Sequence, residues 1–475
     1  MSDSPGLFRP RNFLIAALLG AGLIVLVLST SVDAKRAAEL SAGEFAGDVA
    51  ARVIASNTES GGDTHSRDFI SIPIEVRKLA DNVYQARGVG NTQVIATSEG
   101  HVVYDTGLAT QAAKQRRLLG EALPEGSITH VILSHSHQDH AGGTRFWAED
   151  GTEIVAHFEY PEEQRYLKEL EDFFWTRNRM LFPFMPESPP KSGMLAYGNV
   201  VPTLLVNEPN ILKFEQGGVR FEVLPTPGAE GADNLTLWLP DQKIFFSGDF
   251  FGPNFPQFPN VFTMRGEKVR KPIEYIRSLE QVIALEPEMI VPSHQDPIVG
   301  KENILEGLVK MRDAVRYVHD AVIAGMNAGK SMNQLMEEIA LPPELSVTQI
   351  HGRVSWAVKS IWQYYATWFQ FNSTTELYNV PHTAVAAELA GLAGVDALAK
   401  SAASHVAEGR DLAALHLLEV ALAGNAQHRL ALETRIEALS SLREEAKATF
   451  NNTYEIDWLS LRIGQTEEVL GALPE

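Results

Sequence analysis

Residues 134–143 read S-H-S-H-Q-D-H-A-G-G, which places His135, His137, Asp139 and His140 within six consecutive positions. Imidazole nitrogens with a carboxylate are the donor set of zinc and of similar borderline divalent ions. The chain has 14 histidines in 475 residues, so three here, alternating and closed by Asp-His, are not a chance cluster. Residues 129–133 read as a short buried strand that ends at the first histidine. One ion rarely takes four donors from so short a piece. A bend after the strand would send His135 and His137 to one ion, Asp139 and His140 to another.

Three further strand ends carry groups of the same kind. Residues 101–104 form a strand that runs into Asp105-Thr106-Gly107, where Asp105 either caps the turn or serves a site. Residues 243–247 end in Gly248-Asp249. Residues 289–291 lead to Pro292-Ser293-His294. A fourth strand, 219–224, is followed by Pro225-Thr226-Pro227-Gly228-Ala229-Glu230.

The elements that must hold these groups alternate in type. Residues 74–87 and 92–97 alternate apolar and polar side chains, as strands with one wet face do. Residues 111–123 read as a helix stopped by Pro124. A second helix begins at 144–148, and 153–157 and 234–239 are strands. Residues 158–190 crowd Tyr160, Tyr166, Phe173, Phe174, Trp175, Phe182 and Phe184 together with Met180 and Met185. A helix over 161–181 with its aromatic face packed inward explains them; a wall beside the site for a greasy substrate is the functional alternative. From 305 onward only helical periodicity is present. Helices are expected over 301–325, 331–340, 355–369, 382–391, 393–408, 411–423, 426–451 and 456–462.

Composition narrows the partners. Lys plus Arg number 40 against 60 Asp plus Glu, a net charge of -20. Such a surface repels nucleic acid, so none is expected as a partner. An anionic small substrate would need a local positive centre, which a metal pair supplies. The absence of cysteine removes disulfides and thiolate ligands, and suits an oxidising compartment without requiring one. Residues 13–28 carry no charge and follow Arg9 and Arg11, the pattern of a secretory signal. Residues 1–34 are therefore expected to be a signal peptide or a retained membrane anchor. Export, with the protein periplasmic or anchored facing the periplasm, is the expectation in either case. Residues 35–71 read as a tether with a helix at its start.

The H-S-H-Q-D-H-A-G-G run after a hydrophobic strand, with Asp-Thr-Gly upstream, resembles the metallo-β-lactamase superfamily over about 72–300. The resemblance implies a four-layer αββα sandwich of α/β class, with a site at one edge between two sheets and a metal pair that activates a water. Most members carry a histidine ligand directly after the glycine at Gly228. Ala229 cannot bind a metal, and Glu230 follows it. P-G-A-E, then S-G-D, then Pro259-Asn260-Val261-Phe262-Thr263-Met264-Arg265-Gly266 resembles the alkylsulfatase branch, which uses a glutamate in place of that histidine. Residues 355–372, S-W-A-V-K-S-I-W-Q-Y-Y-A-T-W-F-Q-F-N, together with Gly409-Arg410-Asp411 and Asn451-Asn452-Thr453-Tyr454, resemble the all-α dimerisation domain of the same branch. That domain would occupy 301–475 and pair two chains.

The branch implies two Zn2+ ions, or other divalent metals. His135, His137 and Glu230 would hold one; Asp139, His140 and His294 the other. Asp249 would bridge them or serve the second, where the branch often has the longer Glu. Asp105 would orient a ligand histidine. Asn260, Arg265 and Tyr197 would contact a sulfate, a role that suits the planar fork of arginine. Asp139, Asp249 and Arg265 would be the catalytic residues. Trp356 stands where many members have a histidine that reaches the sulfate. The leading expectation is a zinc-dependent hydrolase of alkyl sulfate esters, acting on small amphiphilic anions through metal-activated hydroxide. A phosphodiester, lactone or thioester hydrolase is the alternative; a non-catalytic, membrane-tethered dimeric scaffold is the third reading.

Overall fold

A computed structural model describes residues 32–60, 72–191, 200–261 and 263–474. The chain opens with α1 (Val32–Ser60) and four strands, β1 (Val76–Ala80), β2 (Val83–Ala86), β3 (Thr92–Thr97) and β4 (Gly100–Tyr104). Next come α2 (Ala109–Ala122), β5 (Ile128–Ile132), the short α3 (Gln138–Ala141) and α4 (Thr144–Trp147), and β6 (Glu153–His157). Then follow α5 (Tyr160–Glu169), α6 (Glu171–Leu181) and β7 (Leu204–Val206). The second half holds β8 (Leu212–Gln216), β9 (Val219–Pro225), β10 (Leu235–Leu239), β11 (Ile244–Gly248), α7 (Pro272–Leu285), β12 (Met289–Pro292) and β13 (Ile298–Val299).

One sheet runs β1 to β7 in chain order, and the other runs β13-β12-β11-β10-β9-β8. In the first, β1 to β4 pair antiparallel and β4 to β7 pair parallel. In the second, only β11 and β12 are parallel. Side chains alternate across a strand, and the alternation builds the layers. Ile95, Val102, Leu237, Phe246 and Val291 face inward into a core shared by both sheets. Their neighbours Val94 and Val103 face outward onto Leu119 and Trp147; Trp238, Phe245 and Ile290 face outward onto Tyr275 and Leu279 of α7. Both sheet faces are covered, which is why β11 and β12 are apolar on successive positions. The result is the expected αββα sandwich.

The helical region comprises α8 (Lys301–Asn327), α9 (Met332–Glu338), α10 (Val354–Ala366), α11 (Ala386–Ala393), α12 (Val395–Ala407), α13 (Asp411–Gly424), α14 (Arg429–Thr449) and α15 (Thr453–Gly471). Helices α8 and α10 pack into the same core as α7, through Leu308, Met311, Val358 and Ile361. Ala399, Ala402, Ala414, Ala421 and Ala431 are fully buried where α12, α13 and α14 meet. Side chains that small let helix axes approach closely.

Several expected elements differ in the structure. Residues 35–60 are not a tether: α1 docks on α2. Gly47 makes this possible, because a Cβ there would lie 2.0 Å from the Thr110 carbonyl oxygen. Arg36 Nη2 donates to the Phe146 oxygen at 3.2 Å and pairs with Glu149 at 3.3 Å. The single helix expected over 161–181 is two, broken at Leu170 (φ -103, ψ 20). Helix α10 stops at Ala366 because Thr367 takes a positive φ of 66. Helix α15 is longer than expected; it starts at Asn452, whose side chain accepts from the Glu455 amide at 3.2 Å, a standard N-cap contact. No described helix is long and apolar enough to cross a membrane. Residues 13–28 and Tyr197 lie outside the described residues.

Candidate metal centre and anion site

The acid expected to serve a histidine sits at the end of β4. Asp105 is fully buried and takes a positive φ of 55. Its carboxylate accepts from the Ser134 amide at 2.8 Å, Ser134 Oγ at 2.9 Å and Ser293 Oγ at 2.7 Å. Its Oδ2 lies 2.9 Å from His140 Nδ1. One carboxylate thus ties the ends of β4, β5 and β12 together and turns the Nε2 of His140 the other way.

That nitrogen faces the remaining donors. His140 Nε2 is 3.3 Å from Asp249 Oδ2 and 3.4 Å from Asp139 Oδ2. His294 Nε2 lies 3.1 Å from Asp249 Oδ2 and 3.4 Å from Asp139 Oδ2. Donor atoms of His135, His140 and Asp249 fall within 4.8 Å of one another, as do those of Asp139, His140 and His294. His140 Nε2 and Asp249 Oδ1 are buried without a hydrogen-bond partner among the described residues. A buried polar atom left unpaired is costly, and converging nitrogens and anionic oxygens are what a divalent cation satisfies. The donor set fits a metal. Burial alone would raise Asp139 and Asp249; the charges of His140 and His294 overcome it and hold both below the carboxylate range.

The other half of the site is wired differently. His135 Nε2 is 2.8 Å from His137 Nδ1. Glu230 Oε1 lies 3.7 Å from His137 Nδ1, but it accepts from Arg270 Nη2 at 2.7 Å and sits 3.6 Å from Arg265 Nη2. Glu230 and His137 belong to neither three-residue group, which the other five expected ligands make up. Burial outweighs the charges of Arg270 and His137 and raises the Glu230 carboxyl. Arg270 also donates through Nη1 to the Asn260 carbonyl at 2.8 Å. Arg265 Nε and Asn260 Nδ2 are both buried without a hydrogen-bond partner among the described residues. They are two donors with no acceptor, on the segment expected to meet an anion.

A cavity of about 350 Å³ opens here, lined among others by His135, His137, Tyr166, Glu230, Glu267 and Arg270. Tyr166 brings the aromatic segment to the cavity wall, while Tyr160 and Leu181 are buried and Phe173 is exposed. Arg177 of α6 holds the loop in place, donating to the Arg265 and Met264 carbonyls at 2.7 Å each. Trp356 is half-buried, with the Arg353 guanidinium 5.7 Å from its ring centre.

Sequence reasoning did not find Arg270, Glu267 or His351. The first two lie within five residues of Arg265, and the Glu-x-x-Arg spacing was the available signal. His351 gave none, since it enters from the helical region. Its ring packs on Tyr454 at 4.9 Å. Burial, then the charges of Arg265 and Arg270, push it down to about 3.

Residues 86–294 match the metallo-beta-lactamase superfamily, and residues 331–464 match the family described as alkyl sulfatase dimerisation. The two matched stretches coincide with the sheet-bearing part of the chain and with its carboxyl-terminal helices. Among similar proteins, a linear primary-alkylsulfatase from a Pseudomonas species is 28% identical, over 63% of this chain and 60% of that protein. An alkyl/aryl-sulfatase of Saccharomyces cerevisiae is 25% identical, over 82% of this chain and 64% of that protein. The chain therefore spans about three fifths of the length of these relatives. The solved structure of a stereoselective inverting sec-alkylsulfatase from Pseudomonas has a TM-score of 0.70 at 20% identity, covering 84% of this chain and 66% of that one. At that identity the likeness is one of fold. The stretch similar to the metallo-beta-lactamase superfamily supplies the His-Asp cluster and both arginines, and the stretch similar to the alkyl sulfatase dimerisation family supplies His351 and Tyr454.

Proposed function

We propose that the chain is a metal-dependent hydrolase of alkyl sulfate esters. The observation that carries this is the pair of buried, unpaired donors Arg265 Nε and Asn260 Nδ2 beside a cluster that fits divalent metal. Bound there, two such ions (zinc by the chemistry of the donor set) would supply Lewis acidity and an acidified water. His135, His137 and Glu230 would hold one ion, and Asp139, His140 and His294 the other, with Asp249 between them. Arg265 and Asn260 bind and orient the sulfate oxygens. Tyr197, outside the described residues, would add a third donor. Asp139 has 26% of its side chain exposed against 9% for Asp249, so of the two it is the carboxylate open to the attacking water. The balance is ester plus water to alcohol plus hydrogensulfate. Tyr166 and its aromatic neighbours give the alkyl tail an apolar wall.

One observation favours an uncharged ester, a lactone or thioester, as the second reading. The two guanidinium charges of Arg265 and Arg270 already face the carboxylates of Glu230 and Glu267. Assaying the full, zinc-loaded chain against a linear alkyl sulfate, an aryl phosphodiester and a lactone separates them. Release of inorganic sulfate supports the first reading; turnover of the other esters alone ends it.

We further propose that two chains pair through the helical domain. Trp368, Phe371, Leu377, Tyr378, Val385 and Leu392 are all exposed in one stretch of it, and apolar exposure on that scale marks an interaction surface. Sedimentation should give a dimer mass, and Leu392→Glu with Phe371→Glu should give the monomer. Export is proposed on Arg9, Arg11 and the uncharged residues 13–28; recovery of tagged protein in the cytosolic fraction would remove it.

A further inference from the structure

Two of the three clustered histidines share a device. His135 has its Nδ1 at 2.9 Å from Ser134 Oγ, and its Nε2 faces His137. His140 has its Nδ1 at 2.9 Å from Asp105 Oδ2, and its Nε2 faces Asp139 and Asp249. In each ring one nitrogen meets a fixed oxygen and the other is turned to the centre. His137 is reversed. Its Nδ1 faces the centre, 2.8 Å from His135 Nε2 and 3.7 Å from Glu230 Oε1. Its Nε2 lies 3.3 Å from Glu267 Oε2.

We propose that Glu267 is a positioning residue for His137: its carboxylate takes the Nε2–H, fixing the tautomer whose Nδ1 lone pair points into the centre. The proposal rests on the reading of the cluster as a metal centre. The carboxylate is itself held from two further sides, with Oε1 3.2 Å from Arg265 Nη2 and Oε2 3.3 Å from Arg270 Nη2. Three positive or proton-bearing groups thus meet the one carboxylate. The backbone also aims it inward at a cost. Glu267 has φ 90 and follows Gly266 at φ 106, and a non-glycine residue there is strained by about 1–3 kcal/mol. A side chain at Gly266 would be strained by that φ, and its Cβ would press on the Phe174 ring at 2.9 Å. The same carboxylate links the histidine to Arg265, so a metal ligand and the anion donor are set by one residue.

Loss of such a carboxylate behind a metal-bound histidine typically weakens metal affinity by about 10–100-fold. The test is zinc affinity of the full chain by chelator competition, with cobalt(II) absorption spectra as a second readout. Glu267→Ala should raise the zinc dissociation constant at least about tenfold and alter the cobalt spectrum. Glu267→Gln keeps an acceptor for Nε2–H while removing the charge, so it should stay within about threefold of the parent, a small fraction of the loss expected on deleting the acceptor. Glu267→Met, similar in shape and without an acceptor, replaces Glu267→Ala should that variant not fold. Parent-like affinity in the Ala or Met variant overturns the proposal, and so does a Gln variant as weak as they are, because charge rather than orientation would then be at work. None of these readouts uses a substrate, so an error over sulfate leaves the result intact. A parent chain that binds no zinc would instead sink the metal centre and this proposal together.

Discussion

The two halves of the site are held by different chemistry. Around His140 and His294, Asp249 and His294 stand just past strand ends and Asp139 and His140 lie on the short α3 that follows β5, and Asp105 ties the ends of β4, β5 and β12 together with contacts of 2.7–2.9 Å. Around His137, the partners come from the turn after β9 and the loop before α7, held by arginines: Arg270 on Glu230, Arg265 on Glu267, Arg177 on the loop carbonyls. The first half is a rigid socket made by the sheets. The second is a charged web in which the arginine proposed to meet substrate also contacts the carboxylates that flank a histidine. Metal retention should therefore be governed mainly by the first half, and substrate choice by the second.

Asp105→Ala attacks the socket and has the largest expected effect. It leaves two serine donors and a backbone amide buried without an acceptor, each worth about 1–3 kcal/mol. Urea denaturation of the metal-free protein should show a loss of about 3 kcal/mol or more, and zinc affinity should fall as well. Arg265→Ala attacks the web. Removal of one preorganised donor to a developing anion costs about 10²–10³-fold, so kcat/KM for an alkyl sulfate should fall by that order while metal content stays at the parent level. A variant that lost zinc and activity in proportion would erase the division between the halves. Lys268→Ala, at the rim, should do least. Its ammonium is half-exposed, 3.3 Å from the half-exposed Glu162 and 2.9 Å from the buried Glu163; the exposed pair contributes below about 1 kcal/mol, so thermal stability should fall less than in Asp105→Ala and turnover should stay close to the parent.

The same division explains what could be read from the residues alone. The socket was legible because its donors follow apolar strands in the chain itself: His135 after β5, Asp249 after β11, His294 after β12. The residues alone left Asp105 open between a turn cap and a site acid, and its place behind a histidine came through the resemblance. The web was not legible to the same degree. Glu230 was found through resemblance, but its bond to Arg270 needed the loop before α7 to fold back across forty residues of chain. Glu267 offered only its Glu-x-x-Arg spacing, and its inward aim depends on two successive positive φ values. His351 reaches the site only because α15 docks on the segment before α10, where the Asn452 amide donates to the Gln349 carbonyl at 2.8 Å. Residues 35–60 misled for a related reason. Their small and charged composition suits a tether, yet the glycines that loosen a free chain are what let α1 lie against α2.

The most direct test is sulfate release from a linear alkyl sulfate by the full chain, measured with zinc, after removal of metal by chelator, and after zinc is restored, beside Arg265→Ala under the same conditions. The account predicts release with zinc, none without it, recovery on restoring it, and a fall of about 10²-fold in the variant. No sulfate release from the zinc-loaded protein, or release that survives both metal removal and loss of Arg265, would contradict it.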